Sequence, residues 1–227
     1  MSDTRLALDL ALTVRHDGRG GVADDLGTPE GLTAWVRERP GLFGPVPGAD
    51  GRAADSARAD VRGADAWEVD AWEADEESLA AVRSLRAAVR ALFAHAVRPD
   101  QPSPADARNL MPVPEALDRL NAAAAAVPTV PRLDWPDGGA PLASHHPTGA
   151  ARRKDALPAV LARAVIRFLA GPDRAALRAC HAPRCVRYFI KEHPRQEWCK
   201  PSCGNRARVA RHHERHRSSH PQPGEPP

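Results

Sequence analysis

The chain has 227 residues, 42% of them apolar, 27% charged and only 4% aromatic. Such a composition can bury a core, which excludes wholesale disorder, and with few aromatics that core must rest on Ala, Leu and Val in mostly helical segments. No stretch approaches the roughly 18 uninterrupted apolar residues of a membrane span, and Asp3, Arg5 and Asp9 break any apolar run at the start, so the expectation is a cytoplasmic protein with no membrane partner. The net charge of +3 conceals a gradient. Residues 180–217 carry ten Lys and Arg against three Glu, whereas residues 1–179 sum to −3. A basic end on a mildly acidic body points to a polyanionic partner, DNA or RNA first.

In chain order, Leu6 to Val14 alternates loosely and suits a strand or a short buried helix. Thr28-Pro29-Glu30 reads as an N-cap followed by proline at the first helical position, with a short helix through Trp35 and Val36 that Pro40-Gly41 ends. From Pro45 to Asp75 the sequence is Gly, Ala, Asp and Arg with little periodicity. It reads as a mobile insertion, within which a tandem repeat, Asp65-Ala-Trp-Glu-Val then Asp70-Ala-Trp-Glu-Ala, offers two tryptophans to dock on the core. The clearest helix spans Asp75 to Val97, where Leu79, Val82, Leu85, Val89, Leu92 and Phe93 follow one buried face and Asp75, Glu76 and Glu77 suit the positive end of the helix dipole. A second helix starts near Ser103-Pro104 and restarts after Pro112 and Pro114 to Val127. Val130 to Trp135 and Ala140 to His145 then flank Asp137-Gly138-Gly139 as a β-hairpin, with Pro131 and Pro141 confining it to edge strands. A helix from Leu157 to Leu169 ends at Gly171-Pro172, and Val160, Leu161, Val165 and Leu169 are its core face.

All four cysteines lie in the basic end, as Cys180-x4-Cys185-x13-Cys199-x3-Cys203. In a reducing compartment clustered thiols suit a metal rather than disulfides, and two close pairs can present four soft ligands at tetrahedral corners. The implied cofactor is one structural Zn2+, with a short hairpin in the spacer Val186 to Trp198 returning the chain to the metal. Four thiolates leave no open coordination position, which disfavours catalysis by the metal. Cys199, Cys203, His216 and His220 also match the spacing of a Cys2His2 finger, but Gly204 to Arg215 lacks that finger's apolar core and Cys180 and Cys185 would have no role.

Trp198-Cys199 followed by Cys203-Gly204-Asn205-Arg206 resembles the CGNR zinc finger family, over about forty residues. The N-terminal part is similar to the helical ABATE (stress-induced transcription regulator) domain that commonly precedes this finger. Leu6-Ala-Leu-Asp9 and Thr13 carry that likeness, with Leu12 where asparagine is usual. The resemblance implies a bacterial zinc-ribbon regulator that binds DNA or RNA, with no known reaction. The fold class expected is thus mainly α (α+β). A helical ABATE-like domain with a small β-hairpin covers 1–171, with its insertion at about 45–75. A treble-clef or ribbon-like zinc module covers 172–217 and ends in a basic helix, and a disordered tail covers 218–227.

Gly204-Asn205 is a natural helix entry. At 100° per residue Arg208, Arg211 and Arg215 share a stripe about 60° wide, with Asn205 and Arg206 at the metal end, to fix the helix or touch a base edge. Val209 and Ala210 mark the face expected to meet the ribbon. His212, His213 and His216 fall on the solvated helix, where a histidine cluster is usually neutral surface and occasionally an adventitious metal site. Asp24-Asp25 and the acids from Glu73 to Glu77 sit in a loop and at a helix start, and no phosphate loop or nucleophile elbow is present, so no enzyme is nominated. Two classes stay open. One is a transcription regulator whose first domain senses a small-molecule effector or forms a homodimer. The other is a zinc-ribbon protein–protein adaptor.

Overall fold

A computed structural model of the chain describes residues 2–17, 21–39, 42, 72–106, 110–148 and 152–219. Most of the insertion, the first tryptophan of the repeat, Pro40-Gly41 and His220 lie outside the described residues.

The opening segment is helix α1 (Asp3–Ala11), capped by the Ser2 side chain, and it buries Leu6, Ala7, Leu10 and Ala11 on one face. The backbone turns extended only at Val14, where β1 (Val14–His16) pairs antiparallel with β2 (Val22–Asp24). Helix α2 (Pro29–Arg37) starts as its sequence dictates, with Thr28 accepting from the Gly31 amide and Pro29 in the first turn. Helix α3 (Glu76–Ala96) is the central element. Asp75 and Ser78 close a reciprocal capping box at its start. Leu79, Val82, Leu85, Val89, Leu92 and Phe93 are all buried.

Helix α4 (Val113–Ala125) packs beside α3, and the expected helix near Ser103-Pro104 is instead a turn over residues 104–106. The hairpin forms as β3 (Thr129–Asp134) and β4 (Leu142–Pro147), in register from Thr129 opposite Pro147 to Asp134 opposite Leu142. Its turn needs Gly138, whose φ of +73° is the left-handed region. Helix α5 (Arg153–Ala170) begins four residues earlier than the sequence suggests, leaving Pro158 inside it. An interior proline removes one helical hydrogen bond. Here burial of Ala156 and Leu157 and the Lys154–Glu77 ion pair hold the extra turn in place.

Helices α1 to α5 enclose one buried cluster, in which Leu161 and Val165 are buried and Val160 and Leu169 half-buried. Trp72, from the second half of the tandem repeat, is 1% exposed within it. The cluster does not stop at Gly171. After a 3-10 turn (Pro172–Ala176) come strands β5 (Leu177–Ala179) and β6 (Tyr188–Ile190), and Leu177, Ala179 and Tyr188 belong to the same cluster. Helix α6 (Pro201–Ser219) ends the described chain. No helix among the described residues is long and apolar enough to cross a membrane.

Candidate zinc centre and basic helix

β5 and β6 pair antiparallel from Leu177 opposite Ile190 to Ala179 opposite Tyr188. Their connection is the first cysteine pair itself, so the hairpin is closed by Cys180 and Cys185 and not formed within the thirteen-residue spacer. The Cys180 amide donates to the Arg187 carbonyl at 2.9 Å, and the Cys185 amide to the Ala182 carbonyl at 2.9 Å. Arg184 takes φ +62°, a left-handed turn residue that aims the next side chain, Cys185, back toward Cys180. The second pair is delivered by α6, which begins at Pro201, one turn before the entry expected at Gly204. Cys203 sits in its first turn, its amide donating to the Lys200 carbonyl at 3.0 Å.

The four sulfur atoms lie within 4.8 Å of one another, with Cys185–Cys199 at 3.7 Å and Cys199–Cys203 at 3.5 Å. Zinc–sulfur bonds of about 2.3 Å at tetrahedral corners require sulfur–sulfur edges of about 3.8 Å. Cys180, Cys185 and Cys203 are buried and Cys199 is half-buried. Hydrogen bonds from Cys185 and Cys199 pull the Cys180 thiol well below its ordinary value, and the favoured Cys180 thiolate pushes Cys185 and Cys199 above theirs. Thiols crowded in this way cannot all ionise without a cation among them. The donor set therefore fits one zinc ion, closed to further ligands. His216 takes no part. It pairs with His212 on the exposed helix, so the Cys2His2 spacing is not used.

The residues around Cys203 each have a visible task. A Cβ on Gly204 would stand 3.0 Å from the Trp198 ring, so the absence of a side chain lets the indole close over the start of α6. Arg206 is half-buried and donates to the Cys203 sulfur at 3.1 Å. Its charge offsets the net −2 of a four-thiolate zinc. Asn205 and Arg208 are exposed and joined side chain to side chain. Arg211 and Arg215 are also exposed, the Arg211 Nε reaching back to the Ala207 carbonyl at 3.4 Å. The inner face of α6 is Cys203 and Ala207, whereas Val209 is 56% exposed and does not meet the ribbon.

A second polar constellation escaped the sequence reading. Arg90 of α3 is 5% exposed, yet its guanidinium donates to both Asp106 oxygens (2.7 and 3.0 Å), to the Ala11 carbonyl (2.7 Å), to the Ser103 hydroxyl (3.2 Å) and to the Val186 carbonyl (3.3 Å). The Tyr188 hydroxyl donates to Asp106 at 2.7 Å and accepts from the Ser103 amide at 3.3 Å. Burial, with Asp106 adding to it, pushes the Tyr188 phenol above its ordinary value and keeps it a donor. One turn earlier Arg86 grips Asp24 with two bonds (2.5 and 2.7 Å) and reaches Thr13 at 2.9 Å, while Asp25 pairs with Arg15 at 2.6 Å. The neighbouring carboxylates at 24 and 25 thus anchor different arginines, Asp24 holding Arg86 with Arg83 at 3.9 Å and Asp25 holding Arg15. The available signal was two arginines four residues apart inside the apolar stripe of α3, where a solvated charge has no place.

These features define a two-part zinc-finger protein, in which a helical domain shares its buried cluster with a closed four-cysteine module ending in a basic helix. Residues 4–172 match the family model ABATE, described as "Putative stress-induced transcription regulator", and residues 176–216 match the CGNR zinc finger. The chain belongs to the ABATE family. Comparison with curated proteins finds no match.

Proposed function

We propose that the protein is a transcription regulator that binds nucleic acid through the exposed face of α6, without a reaction of its own. The observation that carries this reading is the placement of Arg208, Arg211 and Arg215, all exposed on a helix whose first two turns are fixed at the zinc centre by Cys203 and Ala207. A helix anchored at the zinc centre, with guanidinium groups on its open face, suits phosphate oxygens, and its diameter suits the major groove of duplex DNA. Asn205 stands at the metal end of that face, within reach of a base edge. Arg206 acts through the zinc centre, because its bond to Cys203 holds the ligand that starts the helix. Its role is positioning.

The first domain supplies the regulatory half. A cleft of about 820 Å3 opens between α3 and residues 98–102 and 110–113, lined by Ala94, His95, Arg98, Leu110, Met111 and Val113 among others. An apolar cleft with a few polar groups has the chemistry for a small organic effector. The protein acts in the cytoplasm, where its thiols stay reduced and nucleic acid is present.

A mobility-shift titration against salt tests the reading. Affinity for duplex DNA should fall linearly with log salt, by about 0.9 for each neutralised phosphate, and Arg211→Ala should flatten the slope by roughly one unit with equal losses across sequences. A chain in which Arg208, Arg211 and Arg215 are all alanine, and which still binds like the parent, would overturn it. Arg206→Ala should lower zinc retention along with binding.

A further inference from the structure

We propose that His212 and His216 form a second metal site, open to solvent, for a divalent transition-metal ion of the class Cu2+, Ni2+ or Zn2+. The two residues are one turn apart on α6, both exposed, with ring centroids 4.3 Å apart and Nε2 atoms separated by 3.1 Å. Two imidazole nitrogens at that distance have two chemical uses. One ring can donate its N–H to the other, or both can turn lone pairs to a shared cation. With metal–nitrogen bonds of about 2.05 Å, a 3.1 Å separation subtends about 98° at the ion. That angle lies between the octahedral and tetrahedral values, so no movement of the helix is needed to close the chelate.

The site differs from the cysteine centre in every respect that governs exchange. It offers two neutral borderline ligands where the other offers four buried thiolates, and it leaves the remaining coordination positions to water or to a ligand oxygen. Exposed Arg211 and Arg215 share the helix and oppose a cation, which lowers the affinity for every divalent ion alike and leaves the ligand type to set the order. Copper should bind more tightly than nickel or zinc, in the general order for nitrogen ligands. His213 is the internal control. Its ring lies 6.1 Å from that of His212 and nearly perpendicular to it, too far to share an ion. The helix gains as well, because α6 beyond Ala210 has only exposed side chains among those described, and a clip across one turn resists fraying. The proposal does not depend on the nucleic-acid reading.

The test is a Cu2+ titration of the zinc-loaded full chain, followed by electron paramagnetic resonance, far-ultraviolet circular dichroism and simultaneous zinc analysis. One copper per chain should bind with nitrogen coordination, helicity should rise, and zinc should stay in place. His212→Ala and His216→Ala should each lose the nitrogen-coordinated signal and the rise in helicity, while His213→Ala keeps both. Retention of the signal in His216→Ala, its equal loss in His213→Ala, or copper uptake matched by zinc release would overturn the proposal.

Discussion

The cluster beneath α3 draws on five helices and a strand pair, whereas among the described residues the cluster around Cys180 has five buried members, three of which are the ligands Cys180, Cys185 and Cys203. Removing a ligand from the second cluster therefore removes its core. The first is held by many interchangeable Ala, Leu and Val contacts, each worth at most a few kcal/mol. The contrast teaches where each region should break. The helical part should lose stability in increments, and the zinc module in a single step. Between them stands Arg90, which belongs to both.

The sharpest way to test the contrast is to remove the metal. Structural zinc in small fingers is worth about 10–16 kcal/mol, so Cys203→Ser should take the zinc content from one per chain to none and collapse amide protection across residues 177–190. Protection in the middle of α3 should persist. Cys180→Ser should behave in the same way, and full zinc retention there would refute the four-thiolate centre. Next in size is Arg90→Met, which strands the buried Asp106 carboxylate. Breaking such a pair costs about 3–5 kcal/mol, readable as a lowered urea midpoint, and zinc affinity should fall with it.

Tyr188→Phe keeps the ring between Phe93 and Arg90 but deletes the hydroxyl that serves Asp106 and Ser103. Leaving those groups short of a partner should cost about 1–3 kcal/mol, with one zinc still bound. The smallest effect is expected at Asp24→Asn. Burial pushes the Asp24 carboxyl up, but the hydrogen bonds and charge of Arg86 outweigh that and hold it below its usual value of 3.8. A lowered folded-state value means stability that is present above pH 3.8 and is lost as pH falls through the folded value. The variant should melt lower than the parent at pH 7, and the gap should close as pH drops below 3.8. A gap that persisted in acid would mean that Asp24 acts by packing alone.

What was legible in the sequence was local. Thr28-Pro29 and the Asp75–Ser78 box announce α2 and α3 because the caps lie beside the helices they start, and the cysteine spacing announces the metal because ligand geometry demands pairs. The β3–β4 turn was legible from Gly138 for the same reason. What was hidden depends on partners distant in the chain. Arg86 and Arg90 stand out inside the apolar stripe of α3, but their partners Asp24 and Asp106 come from other segments. Leu177-Arg178-Ala179 is too short to signal a strand, so the hairpin across the cysteine knuckle was expected in the spacer instead. Tyr188 lies between the two cysteine pairs in the sequence, yet it fills the larger cluster. The division drawn at 171/172 follows a clear helix stop, but the buried cluster passes across it. The proline at 201 hid the true start of α6, since Pro is equally at home in a turn and in the first turn of a helix.

The bond from Arg90 to the Val186 carbonyl lies one residue past the ligand Cys185. The knuckle conformation that holds zinc is the same one that completes the solvation of a charge buried among the helices. Two equilibria that share a conformation cannot be adjusted separately, and the coupling between them is reciprocal by thermodynamic necessity. Whatever loosens α1, α3 or α5 lowers the affinity for zinc by the same factor by which losing zinc loosens them. Heat, acid or an oxidant that reaches the thiols therefore converges on one variable, the fraction of molecules with the ion in place, and the orientation of α6 follows that fraction.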